Sequence, residues 1–309
     1  MRDGGSGRQG PSLVSASPTV SVTPTSSYNT VKHWFAFGDS YTATGFNPSL
    51  AQPSDENPIG NPDYPGNTIC GPVPTWVDYA ATKYNTSIKF VYNFASIGAT
   101  INGSLVPVLP WVVPLVAQTE FFASAYADGP WTSDDAIFSI WIGINDISNS
   151  YNESGSRTAF NDQLLDAYFE QTDKLIDIGA RRFAFFNVPP FDRSPLLLAR
   201  PPSSQSTARM IIEDYNSKLQ QRVAAFARSA PVVDAWFIDI KSLVNALLDA
   251  PQRSGFTDAT SFGAAGNVVW CDDFHLAPAV HDLIAASVQN ALDKPGTMLS
   301  PVDSLQPKD

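Results

Sequence analysis

Five short runs of apolar and aromatic residues punctuate the chain: HWFAFG (33–38), SIKFVYNFA (87–95), AIFSIWIG (136–143), RFAFFNVPP (182–190) and PVVDAWF (231–237). Most lack the polar alternation of a strand with one wet face, so they read as strands buried on both faces. Between them the apolar positions return at helical spacing. PTWVDYAATKY (74–84) opens on Pro and Thr and then turns helical. TAFNDQLLDAYFEQTDKLIDIGA (158–180) keeps Leu164, Leu165, Tyr168, Phe169, Leu175 and Ile176 on one side and stops at Gly179. RMIIEDYNSKLQQRVAAFAR (209–228) and APAVHDLIAASVQNAL (277–292) follow the same pattern.

Strands alternating with helices predict an α/β fold, with a central parallel sheet of about five strands and helices on both faces. In such sheets ligands bind beyond the carboxyl ends of the strands, so functional residues belong there. The segment from Ala43 to Pro74 is long and rich in Pro, Asn and Gly, and is expected to wall a binding cleft. Residues 1–30, rich in Ser, Thr and Pro over 11–27, read as a disordered arm; residues 31–295 form the folded domain and 296–309 a tail. No apolar run is long enough for a membrane span.

Charge narrows the partners. The 309 residues carry 30 acidic and 19 basic side chains, a net charge of -11, with no basic stripe to neutralise phosphates, which argues against nucleic-acid binding. A monomer is the expected state. Met1 to Gly10 is polar and glycine-rich, so no signal peptide is visible, while Asn85, Asn102 and Asn152 begin N-x-S/T sequons. Cys70 and Cys271 are too few for a disulfide scaffold or an all-cysteine zinc site; either they pair or they are two buried thiols.

The first strand ends on Gly38-Asp39-Ser40. A polar turn is the plain reading; a nucleophilic serine at a strand's carboxyl end is the sharper one. A serine hydroxyl needs a base, and the chain has three histidines. His33 stands at the far end of the first strand from Ser40, and His281 sits within a helical pattern. His275 lies in the loop-like VVWCDDFHLAP (268–278), with Asp272 three residues before it. In a tight turn that spacing lets the carboxylate reach one imidazole nitrogen and leaves the other for Ser40. Asp273 is adjacent and competes for the role. Acyl transfer also needs donors for a developing oxyanion. NFASIGAT (93–100) supplies Gly98 after the second strand, and WIGINDI (141–147) supplies Asn145 after the third, beside Asp146.

A serine after strand one, a glycine after strand two, an asparagine after strand three and a D-x-x-H before the last helix all fall on one rim of the sheet. In this order FGDSYT, NFASIGAT, GIND and DDFH resemble the four blocks of the SGNH/GDSL hydrolases, from residue 37 to residue 275. GDSYT, N-[FY]-A-x-x-G-A-T and W-V-D-Y are similar in particular to the carbohydrate esterase family 16 acetylesterases. The resemblance implies a flavodoxin-like three-layer α/β/α sandwich. It makes Ser40 the nucleophile, His275 the base and Asp272 its orienting acid. The oxyanion hole falls to the Ser40 N–H, the Gly98 N–H and the Asn145 side chain, with Asp39 and Asp146 as supporting residues. It implies no metal or organic cofactor, and a secreted protein. One departure stands out: many relatives have Pro after the histidine, where this chain has Leu276, with Pro278 two residues on.

The function this implies is hydrolysis of short acyl esters, acetyl above all, on a carbohydrate or other polyol. A lipase or acyltransferase of the same fold, acting on longer chains or on a specialised metabolite, is the alternative; an inactive binding protein is the remote one. Trp76, Trp111 and Trp131 could stack on a sugar ring or pack in the core.

Overall fold

A computed structural model describes residues 27–229 and 234–296, together with residue 1. The strands are β1 (His33–Gly38), β2 (Phe90–Asn93), β3 (Ala136–Trp141), β4 (Arg182–Phe186) and β5 (Asp234–Ile238). The helices are α1 (Trp76–Thr82), α2 (Leu115–Tyr126), α3 (Ile144–Ser148), α4 (Arg157–Ile178), α5 (Pro195–Leu198), α6 (Pro202–Phe226), α7 (Ile240–Asp249) and α8 (Pro278–Leu292). The sheet order is β2-β1-β3-β4-β5 and every pairing is parallel. This is the flavodoxin-like order, which reverses direction between β1 and β3 and opens a crevice at their carboxyl ends.

The strands are apolar on both faces because both are covered. Trp34 of β1 meets Trp76 of α1 with ring centroids 5.8 Å apart. Its neighbour Phe35 points the other way and meets Phe122 of α2 at 4.8 Å. α1 packs on α8, while α4 packs on both α2 and α6, giving the two outer layers. Between the strands, the Trp34 indole donates to Ser139 Oγ at 2.8 Å.

All five expected strands are present, the second, third and fourth shorter than their runs. The four expected helices are α1, α4, α6 and α8. The sequence reading does not foresee α2 or α7. The start of the fifth run, 231–233, lies outside the described residues, as do 2–26 of the expected arm and 297–309 of the expected tail. Residues Ser27–Thr30 form a 3-10 turn, and Tyr28 is fully buried with its ring edge-on to Trp34, so the folded unit reaches back at least that far.

Candidate active site

The last residue of β1 is glycine for a steric reason. Gly38 stands opposite Trp141 of β3, and a Cβ there would lie 2.3 Å from the Trp141 carbonyl oxygen. Gln118 of α2 brackets the same residue: its Oε1 accepts from the Gly38 N–H at 2.9 Å, and its Nε2 donates to the Gly38 carbonyl at 2.8 Å. The following turn is held by Asp39. Its Oδ1 accepts from the Tyr41 N–H at 3.0 Å, and its carbonyl from the Thr42 and Ala43 N–H groups at 3.0 and 2.9 Å. Ser40 is thereby fixed with its Oγ 2.9 Å from His275 Nε2.

The histidine is held from the other side. Asp272 Oδ1 accepts from the Phe274 and His275 backbone N–H groups at 2.7 and 2.6 Å, while Oδ2 lies 2.7 Å from His275 Nδ1. One carboxylate therefore folds the turn with one oxygen and orients the ring with the other. A carboxylate at Nδ1 favours the tautomer protonated there, which turns the Nε2 lone pair toward Ser40. Burial pushes the Asp272 carboxyl up, but the hydrogen bonds from the His275 ring and the two backbone amides outweigh it and hold the group at about 2. Asp273 is exposed, and its backbone carbonyl accepts from the Leu196 N–H at 2.7 Å. Of the two candidate acids, only Asp272 reaches the imidazole.

The loop does not depend on a proline at position 276. Cys271 N–H donates to the His275 carbonyl at 2.8 Å, Ala277 N–H donates to the Val269 carbonyl at 2.8 Å, and Leu276 is fully buried. Cys70 and Cys271 are joined in a disulfide, with Cα atoms 5.9 Å apart. Tyr41, next to Ser40, donates its hydroxyl to the Phe274 carbonyl at 2.8 Å, and its ring lies 5.6 Å from that of His275. It links the serine turn directly to the histidine loop.

Among the described residues, no acceptor meets the N–H of Ser40 or of Gly98. Gly98 has a left-handed φ of 82°, a conformation glycine adopts at least cost. Asn145, in the first turn of α3, gives one amide N–H to the Ala99 carbonyl at 2.9 Å, leaving its second N–H for another acceptor. Both oxygens of Asp146 accept from the Ile101 N–H, at 3.0 and 3.1 Å, which ties the loop after β2 to α3. Burial pushes Asp146 up to about 7 and Asp39 up to about 8, the Tyr41 amide bond offsetting part of the latter and nearby Asp146 adding to it.

The other two histidines are elsewhere. His33 opens β1 at the far end of the sheet, with Nδ1 3.6 Å from Asp135. His281 is buried in α8, where its Nδ1 accepts from the Trp76 N–H at 3.3 Å; burial, with nearby His275, pushes it down to about 3.

Two cavities border the loops that carry these residues. One, about 810 Å³, is lined by the loop after Ser40 (Ala43, Phe46, Asn47) together with Ile97, Trp111 and Phe121. The other, about 570 Å³, is lined by Asn145, Ser148, Asn149, Asn152, Arg200 and Phe274 among others. The long loop lines the first of these cavities. Of the three candidate tryptophans, Trp76 and Trp131 are core residues, whereas Trp111 is 75% exposed at the first cavity. Sequence reasoning missed Gln118, because α2 itself was not foreseen. It also missed Tyr41, whose only signal was its place after the serine.

The family model described as GDSL-like lipase/acylhydrolase matches residues 35–288. An acetylesterase from Thermothelomyces thermophilus is 35% identical over 267 residues, covering 84% of this chain and 88% of that protein. GDSL esterase/lipase 6 from Arabidopsis thaliana is 27% identical over 149 residues, 44% of this chain and 41% of its own. A catalytic mutant of an acetylxylan esterase from Geobacillus stearothermophilus superposes with a TM-score of 0.52 at 14% identity, covering 87% of this chain and 97% of that one; at that identity the likeness concerns the fold.

Proposed function

We propose, for a chain that belongs to the GDSL-like lipase/acylhydrolase family and is a carboxylic ester hydrolase, a serine esterase that releases short acyl groups, acetyl foremost, from a carbohydrate or other polyol. The observation that carries the mechanism is the unbroken line from Ser40 Oγ through the His275 ring to Asp272. His275 Nε2 takes the Ser40 proton as Oγ attacks the ester carbonyl, and the ionised Asp272 stabilises the resulting imidazolium. The free N–H groups of Ser40 and Gly98 and the second amide N–H of Asn145 receive the oxyanion. As the tetrahedral intermediate collapses, the imidazolium gives its proton to the departing alcohol. Water, deprotonated by the same ring, then cleaves the acyl-enzyme and returns the proton to Ser40.

The 35%-identical acetylesterase supports acetyl as the acyl group. The Cys70–Cys271 bond fits an oxidising compartment, which supports a site of action outside the cytosol. A second reading, a lipase on longer chains, is favoured by one feature: the larger cavity is lined by Phe46, Ile97, Trp111 and Phe121. Initial rates on nitrophenyl acetate, butyrate and octanoate separate the two. The acetylesterase reading expects acetate to be the best substrate by kcat/KM; a maximum at octanoate overturns it in favour of the lipase.

A further inference from the structure

The smaller cavity has a chemistry of its own. The proton that His275 Nε2 takes from Ser40 must next reach the leaving alcohol, so the alcohol oxygen sits on the histidine side of the scissile carbonyl. Phe274, immediately before His275, lines the smaller cavity, and so does Asn145. Of the two cavities it is this one, not the apolar one beside Gly98, that borders the histidine loop.

Three asparagines (Asn145, Asn149, Asn152), Ser148 and Tyr151 line it, amides and hydroxyls able to exchange hydrogen bonds with the hydroxyls of a sugar. Although acidic residues outnumber basic ones by 30 to 19 in the chain, the lining holds no aspartate or glutamate among the described residues. Among the described residues it holds one cation, the solvent-exposed Arg200, whose guanidinium makes no hydrogen bond or ion pair with any described residue. The Arg200 backbone is set by its N–H bond to the Leu197 carbonyl at 3.0 Å and by the two prolines that follow, Pro201 and Pro202. An unpaired planar donor fork in an acid-free polar cavity matches a carboxylate.

We infer that the alcohol part of the substrate carries a carboxylate, as an acetylated uronic acid unit does, and that Arg200 binds that carboxylate during catalysis. The inference rests on the esterase reading above and adds the substrate class. A net charge of -11 works against an anionic substrate, so the local cation decides whether such a substrate is held at all.

The test compares acetate release from fully acetylated methyl glucuronoside with release from its glucuronamide, which differs only in charge, and from acetylated methyl glucoside. The native protein should prefer the carboxylate over the amide by about tenfold in kcat/KM, and the preference should shrink as salt is raised. Arg200→Gln should bring the ratio to about one, and Arg200→Lys, which keeps the charge but loses the fork, should fall between. A native ratio of one or less, or an unchanged ratio in Arg200→Gln, overturns the inference. With acetate still released from the glucoside, such a result leaves the esterase reading standing; release from none of the three sugars overturns both.

Discussion

Replacing Cys70 and Cys271 together by alanine should cost the fold about 5 kcal/mol. The bond closes a loop of 201 residues. In the chain-entropy treatment a cross-link removes disorder from the unfolded chain in proportion to the logarithm of that length, which for a loop this long comes to roughly 5 kcal/mol. Residual structure in the unfolded chain makes the figure an upper bound. Total stabilities of domains are about 5–15 kcal/mol, so a loss at that bound is a third of the total or more. The consequence is also local, because Cys271 directly precedes Asp272 and Cys70 lies in the long loop after Ser40. Equilibrium urea unfolding of the native protein and the double variant measures the difference, with acetyl ester hydrolysis followed over a temperature series on the same samples. Activity of the variant should fail at a lower temperature than that of the native protein. A stability difference below about 1 kcal/mol would refute the reasoning. So would two titratable thiols in the denatured, unreduced native protein.

The division of labour between the Asp272 oxygens makes Asp272→Asn a sharp probe. An amide has one acceptor oxygen, so it cannot both hold the turn and accept the Nδ1 proton; turnover should fall by about 10²–10⁴. The exposed Asp273→Asn should change turnover by less than about threefold, and the reverse order of losses rejects the assignment. Stability should also depend on pH in a defined direction. Asp39, Asp78 and Asp146 are raised to about 8, 7 and 7, so the folded chain keeps protons that the unfolded chain has lost, and stability declines as pH rises from about 4 to 8. His281, depressed to about 3, works the other way, its contribution present above about 6.5 and lost as pH falls toward 3. Asp272, at about 2, acts only below about pH 4. Between about pH 6.5 and 7.5 the raised carboxyls dominate, and Lys89, lowered by burial to about 8, opposes them only above that window, so the urea midpoint should fall across it and fall less steeply in Asp39→Asn; an equal slope in the two proteins contradicts the account.

The parts of the fold that follow from burial were legible in the sequence. β1 matches its run from His33 to Gly38 because both of its faces are covered and every position after His33 is apolar or small, while the turn chemistry of Gly38 and Asp39 marks its end. α4 was legible because one face is core and the other solvent. α2 was not: it follows a proline-rich stretch, and its apolar residues run around the helix, with Phe122 fully buried and Phe121 half exposed beside a cavity. α7 carries a readable stripe of Leu243, Val244, Leu247 and Leu248 that the reading passed over. At the site, Ser40, Gly98, Asn145 and His275 were readable because each occupies a strand end or loop on one rim. Asp272 was singled out over Asp273 by the D-x-x-H spacing and the family resemblance rather than by any burial pattern, because adjacent residues in a turn differ only in which way the turn sends them. The link from Tyr41 to Phe274 spans 233 residues of sequence, a pairing that local pattern does not encode.

The claim at the centre is that Ser40 carries the acyl group. Treating the protein with diisopropyl fluorophosphate and mapping the adduct by peptide mass spectrometry tests it most directly. The account predicts one adduct per chain, on the peptide containing Ser40, with hydrolysis lost in step with labelling and no adduct on a folded Ser40→Ala variant. An adduct on another residue with loss of activity, or a folded Ser40→Ala variant that still hydrolyses acetyl esters at a substantial rate, would contradict it.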